Sequence, residues 1–122
     1  MKTKDLTGYR VVAVHAHPDD ETLFMGGTLA SLAARGAEVT VITLTLGEDG
    51  EVIGEPYQGL ADHDQLGGFR ARELANALEA LGVKGIQLGG FGHFRDSGMA
   101  GSPSHEDSRA LVNRIEEAAD FL

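Results

Sequence analysis

Apolar and polar positions alternate between long blocks at the start of the chain. The run Arg10-Val11-Val12-Ala13-Val14 is short, apolar and β-branched, and it gives way to polar residues from His15 to Glu21. That pattern predicts a strand buried on both faces. Pro18 lacks an N–H and disfavours a helical residue before it, so a helix is expected to start between Asp19 and Thr22. Leu29, Leu32 and Ala33 carry it to Arg35, and Gly36 is its stop. Val39 to Leu44 reads as a second buried strand, followed by the loop Gly47-Glu48-Asp49-Gly50-Glu51. Strand, helix and strand form a βαβ unit, which implies a parallel sheet whose ligand sites lie beyond the carboxyl ends of its strands. His17 and Glu48 fall at that edge.

Further along, Glu55 to Gly68 has the composition of an ordered loop. Leu74, Leu78 and Leu81 then recur at helical spacing up to a stop at Gly82, and Ile86 to Leu88 gives a third, brief strand. Gly89 to Ser102 is a long loop with five glycines, a length expected of a functional segment. Ser104 is placed to cap a final helix whose stripe is Leu111, Ile115, Ala118, Ala119 and Leu122. The stripe reaches Leu122 with no stop signal, and the switch point of a doubly wound sheet needs a strand on the far side of the first. The expectation is a single α/β, Rossmann-like parallel sheet with flanking helices over residues 1–122, as the amino-terminal portion of a larger domain.

Composition narrows what the domain does. A formal charge of -9 repels a nucleic-acid backbone or an anionic membrane, so neither is an expected partner. No apolar run reaches membrane-spanning length and no leader follows Met1, so a cytoplasmic protein is expected. With no cysteine, any metal must be held by His, Asp or Glu, which suits zinc or iron. An apolar flank on an unfinished sheet would favour self-association.

The chemistry concentrates in His15-Ala16-His17-Pro18-Asp19-Asp20-Glu21. A catalytic zinc takes three protein ligands and an open position; His17 and Asp20 can supply two from one turn, leaving Asp19 free to take a proton from the water that the metal activates. Helix capping by Asp19 or Asp20 is the plainer reading, but it needs one acid, whereas three acids and two imidazoles crowd this edge. His15-Ala16-His17 also resembles the His-x-His pair of barrel hydrolases, though a barrel needs about 250 residues. Elsewhere, Arg70 reads as a solvated helix-start charge, Asp96 as a turn-stabilising carboxylate, and Glu48 and Asp49 as loop solvation, with Glu51 placed to face the site. His63, Asp64, His93 and His105 are expected at the surface.

Ala16-His17-Pro18-Asp19-Asp20-Glu21 after an apolar strand resembles the signature of the PIG-L/LmbE-type zinc deacetylases. Thr45 to Gly54, Asp64 to Arg70 and Arg95 to Met99 are similar to the branch of that family that acts on an N-acetylglucosaminyl-inositol in mycothiol biosynthesis; the related conjugate amidase lacks the second and third segments. The resemblance implies that His17 and Asp20 bind Zn²⁺ (or Fe²⁺), that Asp19 is the general base, and that Arg70 and Asp96, with Glu51, meet an amino-sugar substrate. It also implies a further zinc-binding His in a His-Pro-Asp-His-like segment, which this chain does not contain. An inactive portion of the same fold is the alternative.

Overall fold

The computed structural model of the protein describes residues 3–122. Three strands, β1 (Arg10–His15), β2 (Glu38–Thr43) and β3 (Lys84–Gln87), form a parallel sheet in the order β1-β2-β3. His15 pairs with Thr43 and Thr43 with Gln87, so the three carboxyl ends are level. Helices α1 (Asp20–Ala34) and α3 (Leu66–Leu81) cover one face. The odd-numbered residues Ala13, Val39 and Val41 meet Leu29, Leu74 and Leu78 there. Leu29 is fully buried, worth roughly 1.5–3 kcal/mol relative to an exposed leucine. Ile42 points to the opposite face, where Leu88, Phe94 and Ala118 form a second cluster against the short helix α4 (Ile115–Phe121). Among the described residues no helix is long and apolar enough to cross a membrane.

Three expectations change. β1 is buried on one face only: Ala13 is covered, while Val12 is 60% and Val14 43% exposed. β-Branched composition reports strand preference and cannot say how many faces find a partner. The segment after Gly54 is no loop: a 3₁₀ turn at Glu55–Tyr57 leads into α2 (Gln58–Asp62), and α3 begins at Leu66. Gly67 sits inside α3 because a Cβ there would stand 2.9 Å from Glu48 Cγ and 3.2 Å from Leu46 Cβ. Close packing, not a turn, explains that glycine.

The last helix is also shorter than its stripe. Arg95 forms a bridge with Ala110: its N–H donates to Arg109 O at 2.8 Å, and Leu111 N–H donates to Arg95 O at 2.9 Å. That pairing draws residues 109–111 out of helical geometry, leaving 3₁₀ turns at Pro103–Glu106 and Leu111–Asn113 and an α4 of 7 residues. Ala110 is fully buried, whereas Ile115, counted in the expected stripe, is 61% exposed. The bridge fastens the glycine-rich loop immediately before Asp96.

Candidate active site

The chain leaves β1 at His15 and turns into α1 through Asp19, whose φ of 103° lies in the left-handed region. A non-glycine residue there costs on the order of 1–3 kcal/mol unless its surroundings hold it. Asp19 occupies the N-cap position but its side chain makes no capping hydrogen bond, so the capping interpretation of this acid fails. Its carboxylate is 59% exposed and stands 3.3 Å from an Arg70 guanidinium nitrogen. Partial burial, followed by the charges of Asp20 and Glu21, raises the Asp19 pKa above the ordinary value against the pull of Arg70. A base is useful when its pKa approaches the working pH, and this shift runs in that direction.

Asp20 folds back rather than forward. Its Oδ2 accepts the backbone N–H of His17 at 3.0 Å and lies 3.5 Å from His17 Nδ1. The other imidazole nitrogen, Nε2, is 3.2 Å from Asp96 Oδ1. Asp96 is 7% exposed, and its oxygens also accept Gly98 N–H at 3.1 Å and Asp49 N–H at 3.2 Å. The hydrogen bond from His17, outweighing burial, takes the Asp96 pKa down to about 2, and the same contact raises that of His17. These are two views of one interaction: it is ionic between those two pKa values and fades as either is crossed.

Arg70 is not a solvated helix-start charge. It is only 16% exposed through its side chain and donates to Gly47 O at 2.9 Å and to Pro18 O. Gly47, at φ 64°, must be glycine: a Cβ would stand 2.1 Å from the guanidinium. Glu48 likewise departs from loop solvation. Its side chain is 8% exposed, and Oε1 accepts the N–H groups of Leu46 at 2.9 Å and Asp96 at 3.4 Å. Arg95 donates twice to Asp64, at 3.2 and 2.9 Å, which pins the Asp96 loop to the turn before α3. His93 pairs with Glu117 at 2.8 Å and His105 with Ser97 O at 2.9 Å.

Asp19, Arg70 and Glu51 line one cavity of about 550 Å³ with Tyr57, Phe69 and Glu73. An apolar cavity of about 330 Å³ between α3 and β3 has Glu79 as its one ionisable wall and lies apart from these acids. The structure thus brings His17, Asp20, Asp19, Arg70 and Asp96 together and sets Glu51 on the cavity that Asp19 and Arg70 line. Sequence reasoning gave no part to Glu48 or Glu21. Glu48 sat in a glycine-rich acidic loop where solvation was the simpler reading, and Glu21, though it closes the signature stretch, carried nothing that assigned it a role.

An imidazole and a carboxylate are donors that zinc accepts. Two zinc ligands at about 2.0–2.2 Å and a near-tetrahedral angle stand roughly 3.4 Å apart, close to the 3.5 Å between His17 Nδ1 and Asp20 Oδ2. The pair fits zinc as two of three ligands. Among the described residues no group of three or more metal-binding side chains gathers.

Comparison with known proteins follows the same line. The GlcNAc-PI de-N-acetylase (PIG-L) family matches residues 12–121. The 1D-myo-inositol 2-acetamido-2-deoxy-α-D-glucopyranoside deacetylase of Corynebacterium diphtheriae is 59% identical over 121 residues, covering 98% of this chain and 41% of the relative. The chain therefore spans about two fifths of the length of such relatives. A deacetylase of teicoplanin biosynthesis, solved with teicoplanin, superposes with a TM-score of 0.64 at 26% identity, over 91% of this chain and 51% of that one. The N,N'-diacetylchitobiose deacetylase of Pyrococcus horikoshii gives 0.59 at 32% identity, over 72% and 30%.

Proposed function

Because the chain belongs to the GlcNAc-PI de-N-acetylase (PIG-L) family, we propose that it carries the base and two metal ligands of an enzyme that hydrolyses the N-acetyl group of a 2-acetamido sugar. The substrate proposed is the N-acetylglucosaminyl-inositol named for the Corynebacterium diphtheriae relative. The observation that carries this reading is the 3.5 Å approach of His17 Nδ1 to Asp20 Oδ2 beside Asp19, the acid that opens onto the cavity of Glu51 and Arg70.

His17 and Asp20 would hold zinc, or iron, with a third ligand from outside residues 3–122. Bound there, the metal supplies Lewis-acid polarisation of the acetamide carbonyl and a lowered pKa for the attacking water. Asp19 accepts the proton of that water as its oxygen bonds to the carbonyl carbon, then passes the proton to the amine nitrogen as the C–N bond breaks. Acetate and the free amino sugar are the products. Glu51 accepts sugar hydroxyls along the cavity wall. Arg70 and Asp96 meet the sugar only with the donors and lone pairs left after their protein contacts. Asp96 does more through His17: accepting from Nε2–H fixes the tautomer that leaves the Nδ1 lone pair facing Asp20.

Asp96→Asn offers a donor where an acceptor stood and admits the other tautomer. Zinc affinity in that variant is expected to fall about 10–100-fold in a chelator competition titration; unchanged affinity would remove Asp96 from this role. The function itself is tested on the polypeptide at the length of its relatives. Incubation with N-acetylglucosaminyl-inositol is expected to yield acetate and primary amine in equal amounts, lost on chelation and restored by zinc. A metal-replete protein that releases no acetate would overturn the reading.

A further inference from the structure

Glu21 is a carboxylate in the wrong place for a solvated helix start. It is fully buried in the first turn of α1, and among the described residues no cation stands within salt-bridge distance of it. An apolar side chain would fill that volume at lower cost, because a buried charge must recover its lost hydration through hydrogen bonds. What Glu21 contributes is acceptors. Its Oε2 takes the backbone N–H of Asp19 at 3.1 Å, and its Oε1 takes the hydroxyl of Thr22 at 3.0 Å.

The Asp19 N–H belongs to the peptide that joins Pro18 to Asp19, and the carbonyl of that peptide accepts from Arg70. One peptide plane is therefore gripped from both sides, its nitrogen by Glu21 and its oxygen by Arg70. The residue that follows the plane is Asp19, at φ 103°. Relaxation of that angle would swing the N–H off Glu21 and turn the Asp19 carboxylate away from the cavity it shares with Glu51. Pro18 adds to the constraint by fixing its own φ.

We propose that Glu21 is a positioning residue for Asp19: it clamps the Pro18–Asp19 peptide so that Asp19 keeps a strained backbone and its carboxylate faces the reacting water. The proposal rests on Asp19 as the base, but the clamp is measurable without any reaction.

Two variants separate hydrogen bonding from space filling. Glu21→Gln keeps an oxygen for Asp19 N–H and turns its amide toward the Thr22 hydroxyl, which can accept; Glu21→Met keeps the volume and no acceptor. In the ¹⁵N-labelled 122-residue chain, hydrogen exchange at the Asp19 amide is expected to quicken at least about tenfold in Glu21→Met and to stay within about threefold in Glu21→Gln. In the polypeptide of relative length, kcat is expected to fall about 10²-fold in Glu21→Met with KM and zinc content held, and to be rescued by Glu21→Gln. Asp19 protection and kcat unchanged in Glu21→Met would overturn the proposal. So would loss of zinc in step with turnover, or a folded Glu21→Gln as slow as Glu21→Met.

Should Glu21→Met not fold, the same change is made on Asp19→Gly, since glycine adopts φ 103° without strain. A folded double variant supports the clamp, and an unfolded one reduces Glu21 to a core residue. If the wild-type polypeptide releases no acetate, the deacetylase reading fails while the exchange result on the clamp stands by itself.

Discussion

Asp19→Asn is expected to lower kcat by roughly 10²–10⁴-fold while leaving zinc content unchanged, the range over which a positioned proton acceptor contributes. Asparagine is the informative choice because it tolerates a left-handed backbone, so the φ of 103° survives where alanine would be strained. What the amide cannot do is accept a proton near neutral pH. Losing the half-exposed contact with Arg70 has a small effect on stability by comparison, since an exposed ion pair contributes about 0–1 kcal/mol. Steady-state kinetics beside metal analysis on the same preparation decides the matter. Turnover within tenfold of wild type would take the base role from Asp19.

Arg70→Lys is expected to lower kcat/KM about 10²-fold, with a stability loss of about 1–3 kcal/mol. Arg70 reaches two carbonyls on different segments, Pro18 after β1 and Gly47 after β2, and also the Asp19 carboxylate. A guanidinium does this with a planar fork of five donors. A lysine ammonium offers three from one atom and cannot span the same acceptors. The freed carbonyls then lack partners in a part-buried site, and the turn that carries Asp19 loosens. Thermal unfolding and kinetics measured together test this, and kcat/KM within threefold of wild type would show that the Arg70 fork is dispensable for turnover.

The elements with strong local signals were legible in the sequence. β1, α1 and β2 follow from one β-branched run, Pro18, the Leu29 and Leu32 positions and Gly36, and the α3 core positions Leu74 and Leu78 follow from their spacing. Glycine misled at Gly67, which is small because it packs against Leu46 and Glu48, so the expected loop ran on to Gly68 although α3 already begins at Leu66. The final helix misled because its periodicity says nothing of the competing bridge from Arg95, 15 residues earlier. Within the site, the His17, Asp19 and Asp20 cluster was legible because its members are adjacent. The approach of Asp96 to His17 spans 79 residues and no local pattern encodes it. Glu21 was illegible for another reason: its meaning depends on the backbone angle of the residue two before it, which exists only once the turn has formed.

The proposed function requires that His17 and Asp20 hold a metal. The direct measurement is zinc per chain, by plasma mass spectrometry after zinc loading and gel filtration, in the polypeptide of relative length and its His17→Ala variant. One zinc per wild-type chain and less than about a tenth of that in His17→Ala is the expected result, because one of three ligands is gone. Equal zinc in the two proteins would contradict the account.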